Sequence, residues 1–355
     1  MTPPFGIDAR AAAEVPAGRG RVVRELLAAL AHLDGNDRYL LYCREPATLE
    51  LDDRFTWSPI AFADPLWHLA AAHRASRECG AFLSTNSYLT AWFTRVPCAV
   101  IVHDLVPFIA GVHGQPRAAR IERATIDIGV RRAAALVCIS EATRRDLVVR
   151  VPSAAPRSIV VALAASAQFD PPVTAGSGER PYVLAAGTLE PRKNLERLLD
   201  AWAALEPALR DEHELVLVGP TGWEADAILA RAHSGGVRVT GFVSDDELAA
   251  LYGGCTAFCY PSLYEGFGLP VLEAMRAGAP VITSNVSSLP EITGDAALLV
   301  DPLSAEAIGA ALSALLTDPG RRARLGEAGR ARAEQFSWER TAIVLRDVLR
   351  RIGAR

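Results

Sequence analysis

The sequence predicts an α/β protein built of two doubly wound halves facing a central cleft, and three observations carry that expectation. At 355 residues the chain exceeds the usual size of a single domain. Short apolar runs of strand length alternate with amphipathic helical stretches, a pattern that belongs to parallel sheets covered by helices on both faces. One segment, QFDPPVTAGSGERP at 168–181, is rich in Pro, Gly and Ser and carries neither the strand nor the helix period. The expected organisation is a first domain at 1–167, a linker at 168–180, a second domain at 181–336, and a terminal helix at 337–355 that crosses back to the first domain.

In chain order, RVVRELLAALAHL at 21–33 reads as an amphipathic helix, while YLLYC at 39–43, CAVIV at 98–102 and ALVCIS at 135–140 read as strands. SIVVALA at 158–164 closes the first half. Beyond the linker come YVLAAG at 182–187, a helix at 194–205, ELVLVG at 214–219, VRVTG at 237–241 and a helix at 245–253. TAFCY at 256–260, a helix from Pro270 and PVITS at 280–284 follow. The C-terminal part is helical in pattern, with SWERTAIVLRDVLRRI at 337–352 amphipathic. In doubly wound sheets ligands bind beyond the carboxyl ends of the strands, so the loops there are the places to seek a site.

Composition narrows the function. To residue 170 there are 19 basic and 17 acidic side chains, and beyond it 18 and 24, so the halves carry +2 and −6. Neither value describes a nucleic-acid surface. Arg117, Arg120, Arg123, Arg131 and Arg132 recur at near-helical spacing, which fits either a solvated helix face or peripheral contact with anionic lipid at the inner face of a membrane. No run of 18 uncharged apolar residues occurs, and MTPPFGIDAR lacks the regions of a signal peptide, so a cytoplasmic location is expected. The six cysteines form no C-x-x-C pair and read as reduced, buried thiols. No D-x-D and no metal-spaced His/Cys cluster is present, so the expected chemistry is free of metal and of any cofactor. G-x-G-x-x-G is missed twice, at GRGRVV (18–23) and GFGLPV (266–271), which argues against a nicotinamide oxidoreductase.

The chemistry concentrates in YPSLYEGFGLPVLEAMRAGAPVITS at 260–284, which reads as strand end, loop, helix and next strand. Pro270 suits a first helical turn, and Gly266 and Gly268 permit close approach of a ligand to the backbone. The helix start then offers free N–H groups and the positive end of its dipole to a phosphate. Glu273, a few residues into the helix, is placed to accept hydrogen bonds from a sugar diol, and Glu265, in the loop, reaches a different part of an extended ligand. Elsewhere, His103 stands at the end of a strand, and Asp8 and Arg10 after FGI either line a binding face or hold a turn.

Glu265-GFGLPVL-Glu273 followed by AGAPVI resembles the E-x7-E hallmark of family 4 retaining glycosyltransferases, group 1 glycosyl transferases of the GT-B fold. GTLEPRKNLERLL at 187–199, GFVSDDELAALY at 241–252, IVHDLVPF at 101–108 and VCISEATRRDL at 137–147 are similar to further segments of that family. The resemblance implies two Rossmann-like domains and transfer of a hexose from a nucleotide-diphosphate sugar, with GDP-mannose the first expectation, to a glycan or lipid-linked hydroxyl acceptor. It places Arg192 and Lys193 on the diphosphate and Glu273 on the ribose. Glu265 with Gly266, Phe267, Gly268 and Leu269 falls on the transferred hexose and its donor loop. His103 is implied to face the same sugar, Val243 to lie near the base, and Gly18 and Gly20 near the phosphates.

Lys193 is the one lysine beside 36 arginines. An ammonium is a compact point charge that fits between phosphate oxygens where a planar guanidinium needs more width, which gives a reason for the exception. The alternatives on this scaffold are a catalytically silent partner subunit, a pyridoxal-phosphate phosphorylase using Lys193, and a sugar-nucleotide epimerase.

Overall fold

The computed structural model describes residues 3–16, 18–109, 112, 116–170 and 180–354. Most of the expected linker, 171–179, lies outside the described residues, as does the side chain of Arg117. The chain divides into two compact units: residues 1–108, 116–163 and 337–355 form the first, and residues 109–115 and 164–336 the second.

The first unit holds a sheet of seven parallel strands, β1 (Phe5–Asp8), β2 (Tyr39–Cys43), β3 (Phe55–Pro59), β4 (Ala81–Ser84), β5 (Cys98–Val102), β6 (Ala135–Cys138) and β7 (Ser158–Val160). Their order is β3-β2-β1-β4-β5-β6-β7. Strands β4, β5 and β6 are buried at every position, as strands covered on both faces must be. The helix Trp338–Gly353 belongs to this unit and packs on the helix Arg19–His32, burying Ala342, Leu345, Val348, Leu349 and Ile352. Its Ser337 cap accepts from the Arg340 amide, and Thr341 Oγ1 donates to the Ala162 carbonyl.

The second unit repeats the plan with six parallel strands: β8 (Tyr182–Ala186), β9 (Glu214–Val218), β10 (Arg238–Gly241), β11 (Ala257–Tyr260), β12 (Val281–Ser284) and β13 (Leu298–Val300). The order is β10-β9-β8-β11-β12-β13. In each sheet the winding reverses beside the first strand of the unit, between β1 and β4 in one and between β8 and β11 in the other. Crossovers there leave in opposite directions, so the loops at the carboxyl ends part and open a crevice. The chain is thus α/β with two Rossmann-like domains, the architecture expected from the strand–helix alternation.

Four strands were not read from the sequence: Phe5–Asp8, Phe55–Pro59, Ala81–Ser84 and Leu298–Val300. Each has three to five residues, too few for a period to show. Ladder pairing makes such short runs into strands: β1 pairs on both sides with β2 and β4, and β4 with β1 and β5, while β3 and β13 each pair on one side at a sheet edge.

Candidate active site

The loops at the second unit's reversal point carry the densest buried charge. After β8, residues Pro191–Lys193 form a single 3-10 turn, and Asn194 follows in the left-handed region at φ 59°. Asn194 holds the turn down by donating through Nδ2 to the carbonyls of Pro261, at 2.9 Å, and Pro302, at 2.7 Å. The Leu263 amide donates back to the Arg192 carbonyl at 2.9 Å. The loop after β8 is therefore clamped to the loop after β11, and Lys193 meets Glu265 across them.

Glu265 is the centre. Its Oε1 accepts from Lys193 Nζ at 2.6 Å, Tyr260 Oη at 2.8 Å and Ser262 Oγ at 2.7 Å, while Oε2 pairs with Arg192 Nη1 at 2.8 Å. Lys193 also donates to the Tyr260 hydroxyl. Arg192 is tied further by Glu190 at 2.6 Å and the Tyr264 carbonyl at 2.8 Å. Burial by itself would raise the Glu265 pKa, but Arg192 and Lys193 outweigh it and hold the carboxyl well below its ordinary value. Burial, with Arg192 adjacent, lowers Lys193 from its ordinary value against the opposing pull of Glu265. Burial and the neighbouring carboxylate push the Tyr260 phenol up, so it stays a donor.

The helix Leu269–Arg276 begins beside this cluster. Gly268 sits at φ 108°, and a Cβ there would come 2.8 Å from Leu289 Cδ2, so only glycine makes this entry. Pro270 lies in the first turn and no side chain caps the start, leaving its amides for a ligand. Ser288 Oγ donates to the carbonyls of Glu265 and Phe267, fixing the loop Gly266–Leu269. Glu273 is 2% exposed, with the Tyr252 hydroxyl 3.4 Å from Oε2. Val243 is half-buried just past β10, ahead of a helix capped reciprocally by Ser244 and Glu247.

The remaining candidates lie in the first unit. His103 follows β5, and its Nε2 donates to the Thr85 carbonyl at 2.6 Å, which leaves Nδ1 an acceptor. Burial, then Arg19, lowers the His103 pKa to about 4, so the ring is neutral near pH 7. A cavity of about 550 Å³ opens at this sheet's reversal point, with Arg10, His103, Asp104, Glu122 and Tyr88 among its lining. Arg10 is held by Asp8 at 2.8 Å and Asp64 at 2.9 Å and lies over the Trp67 ring at 3.7 Å. Glu122 is pushed up to about 7, by burial first and Asp104 second. Gly18 precedes the helix Arg19–His32 at φ 54°, facing open space. Gly20 is buried within that helix, where a Cβ would meet the Val15 carbonyl oxygen at 1.7 Å, a position that packing requires to be glycine.

Sequence reasoning overlooked Tyr260, Ser262 and Glu190 as parts of the charge cluster. Tyr260 and Ser262 stand within the quoted YPSLYEG stretch, but their hydroxyls gain meaning only when the β8 loop brings Lys193 to them.

Residues 167–332 match the family model described as glycosyl transferases group 1. The chain is 46% identical over 162 residues to O-antigen chain mannosyltransferase B of Escherichia coli, a stretch covering 44% of this chain and 42% of that protein. It is 32% identical over 271 residues to a serotype-specific mannosyltransferase of Escherichia coli, covering 71% of this chain and 32% of the relative. The chain therefore spans less than half the length of either. Among solved structures, sucrose-phosphate synthase from Thermosynechococcus elongatus superposes with a TM-score of 0.80 over 100% of both chains at 22% identity. A glycosyltransferase involved in lipopolysaccharide biosynthesis gives 0.75 over 97% of this chain and 99% of its own, at 17% identity. These likenesses establish the GT-B fold.

Proposed function

We propose that the protein is a retaining, metal-independent glycosyltransferase that moves a hexose, mannose as first choice, from a nucleotide-diphosphate sugar to a hydroxyl acceptor in polysaccharide or glycolipid assembly. One observation carries this reading: two cations fixed on a single carboxylate beside an uncapped helix start, at the reversal point of the second sheet. The mannosyltransferase relatives support the choice of sugar.

In this reading the bond from the anomeric carbon to the diphosphate oxygen breaks as the acceptor oxygen bonds to the same face. The acceptor proton passes to the departing diphosphate. Lys193, Arg192 and the helix amides stabilise the charge that develops there. Because Glu265 holds both cations in place beforehand, little reorganisation is needed during the reaction. Oε2 of Glu265, paired with Arg192, keeps acceptor capacity for a hexose hydroxyl. Glu273 takes the ribose and Val243 the base, while neutral His103 offers its free ring nitrogen as an acceptor in the first unit's cavity. The first unit's cavity takes the acceptor.

The test uses thermal stabilisation by a series of nucleotide sugars, followed by transfer to a hydroxyl acceptor. GDP-mannose is expected to stabilise the protein and give a product of unchanged anomeric configuration. Lys193→Ala is expected to lose about 100-fold or more in turnover. Turnover within threefold of the parent would refute the assignment.

A further inference from the structure

The 550 Å³ cavity of the first unit carries a charge pattern opposite to that of the Lys193 cluster. Glu14, Asp64, Asp104 and Glu122 line it, against two arginines, Arg10 and Arg19. Both arginines are already engaged. Arg10 gives Nε and Nη2 to Asp8 at 3.0 and 2.8 Å and Nη1 to Asp64 at 2.9 Å, so its fork is spent on carboxylates of the protein itself. Arg19 reaches Asn86 at 3.2 Å and Asp104 at 3.4 Å. Arg44 holds Glu14 at 2.6 Å and Asp64 at 3.0 Å from behind. His68 and His103 add no positive charge near pH 7: burial first, then Arg10 for one and Arg19 for the other, lowers each to about 4. Glu122 stands half-buried in the wall with no hydrogen-bond or ion-pair partner among the described residues.

That balance decides what can enter. A hydroxyl both donates and accepts, so an uncharged sugar can give its protons to Asp104, Glu122 and the open Nδ1 of His103. A phosphoryl or carboxylate substituent brings negative charge, and meets Asp104 and Glu122 with no spare guanidinium to answer it. We propose that the cavity selects an uncharged, hydroxyl-rich sugar as acceptor and rejects phosphorylated or acidic ones, Asp104 and Glu122 setting the discrimination. That the selected sugar is the acceptor rests on the function proposed above; the exclusion of anions follows from the cavity's own charges. The second unit does the reverse, gathering Arg192, Lys193 and a bare helix start where an anion is to be held.

The experiment offers the whole protein GDP-mannose with methyl α-mannoside, its 6-O-carbamoyl derivative or its 6-phosphate as acceptor. The carbamate adds bulk to the same oxygen without charge. Measurements are made at pH 8, where Glu122, raised to about 7 by burial and then Asp104 against the opposing Arg19, is ionised. kcat/KM is expected to be at least about tenfold lower for the phosphate than for the carbamate. Glu122→Gln and Asp104→Asn should each narrow that ratio at least threefold, whereas a merely structural role would lower transfer to every acceptor alike. Phosphate and carbamate used within threefold of each other by the parent, or a ratio unchanged in both variants, overturns the proposal and leaves the glycosyltransferase reading standing. Thermal protection by the same three glycosides separates the two claims. Protection by the neutral glycosides alone, with no transfer to any, overturns the enzymatic reading and supports the charge selection; absence of both protection and transfer overturns the selection as well.

Discussion

Glu265 illustrates how one carboxylate organises a site. Both oxygens are engaged, and both cations it holds are themselves buried or nearly so. Removing such a charge leaves its partners uncompensated, which typically costs about 3 to 5 kcal/mol. Glu265→Gln is therefore expected to lower the melting temperature markedly at pH 7, measured by thermal denaturation. The pH dependence follows from a folded pKa below the unfolded one: the stabilisation is fully present above the ordinary carboxylate range and is lost as pH falls through the folded value. The difference between parent and variant should narrow only in strong acid, and a constant difference down to that range would contradict the pairing. Glu122 behaves in the opposite sense. Its value of about 7 lies above the usual carboxyl range, and a sugar entering the cavity removes more water from it, so binding favours the protonated form. The acceptor KM should rise as pH increases through 7, and Glu122→Gln should flatten that profile.

At the scale of elements, glycines separate packing from binding. Gly268 sets the entry to the helix Leu269–Arg276 and belongs to the candidate site. Gly20 lies in a helix whose predecessor, Arg10–Glu14, runs close enough for a Cβ to strike the Val15 carbonyl. Gly20→Ala is expected to destabilise the protein by about 1 to 3 kcal/mol as an overpacking change, with nucleotide-sugar affinity unchanged by calorimetry. An unaltered melting temperature with lost affinity would instead put Gly20 at the phosphates.

The whole molecule consists of two units with separate sheets, and residues 337–355 are counted with the first although they follow the second in sequence. The helix Trp338–Gly353 places Leu345, Val348, Leu349 and Ile352 in the first unit's interior. Each contributes roughly 1.5 to 3 kcal/mol by burial, a sum comparable with the net stability of a domain. Truncation after Phe336 is thus expected to unfold the first unit, lowering far-ultraviolet helicity, while the second still gains stability from a nucleoside diphosphate. Retention of the full melting profile would show the helix to be dispensable.

Much of this was legible in the residues themselves. Apolar strands alternating with helices determine two doubly wound sheets, because backbone polar groups buried among apolar side chains must pair in ladders and the helices must cover both faces. The run from Tyr260 to Ser284 likewise marks a strand, an uncapped helix start and two glutamates by local chemistry alone. What only the tertiary structure decided is who meets whom. Lys193 and Glu265 are 72 positions apart, and their contact depends on β8 lying beside β11, a neighbour relation set by the sheet's winding and invisible in any local window. The same holds for Ile121 and Ile128: sequence spacing places them on one side of a helix, but only packing of the opposite side shows that they were left in the open.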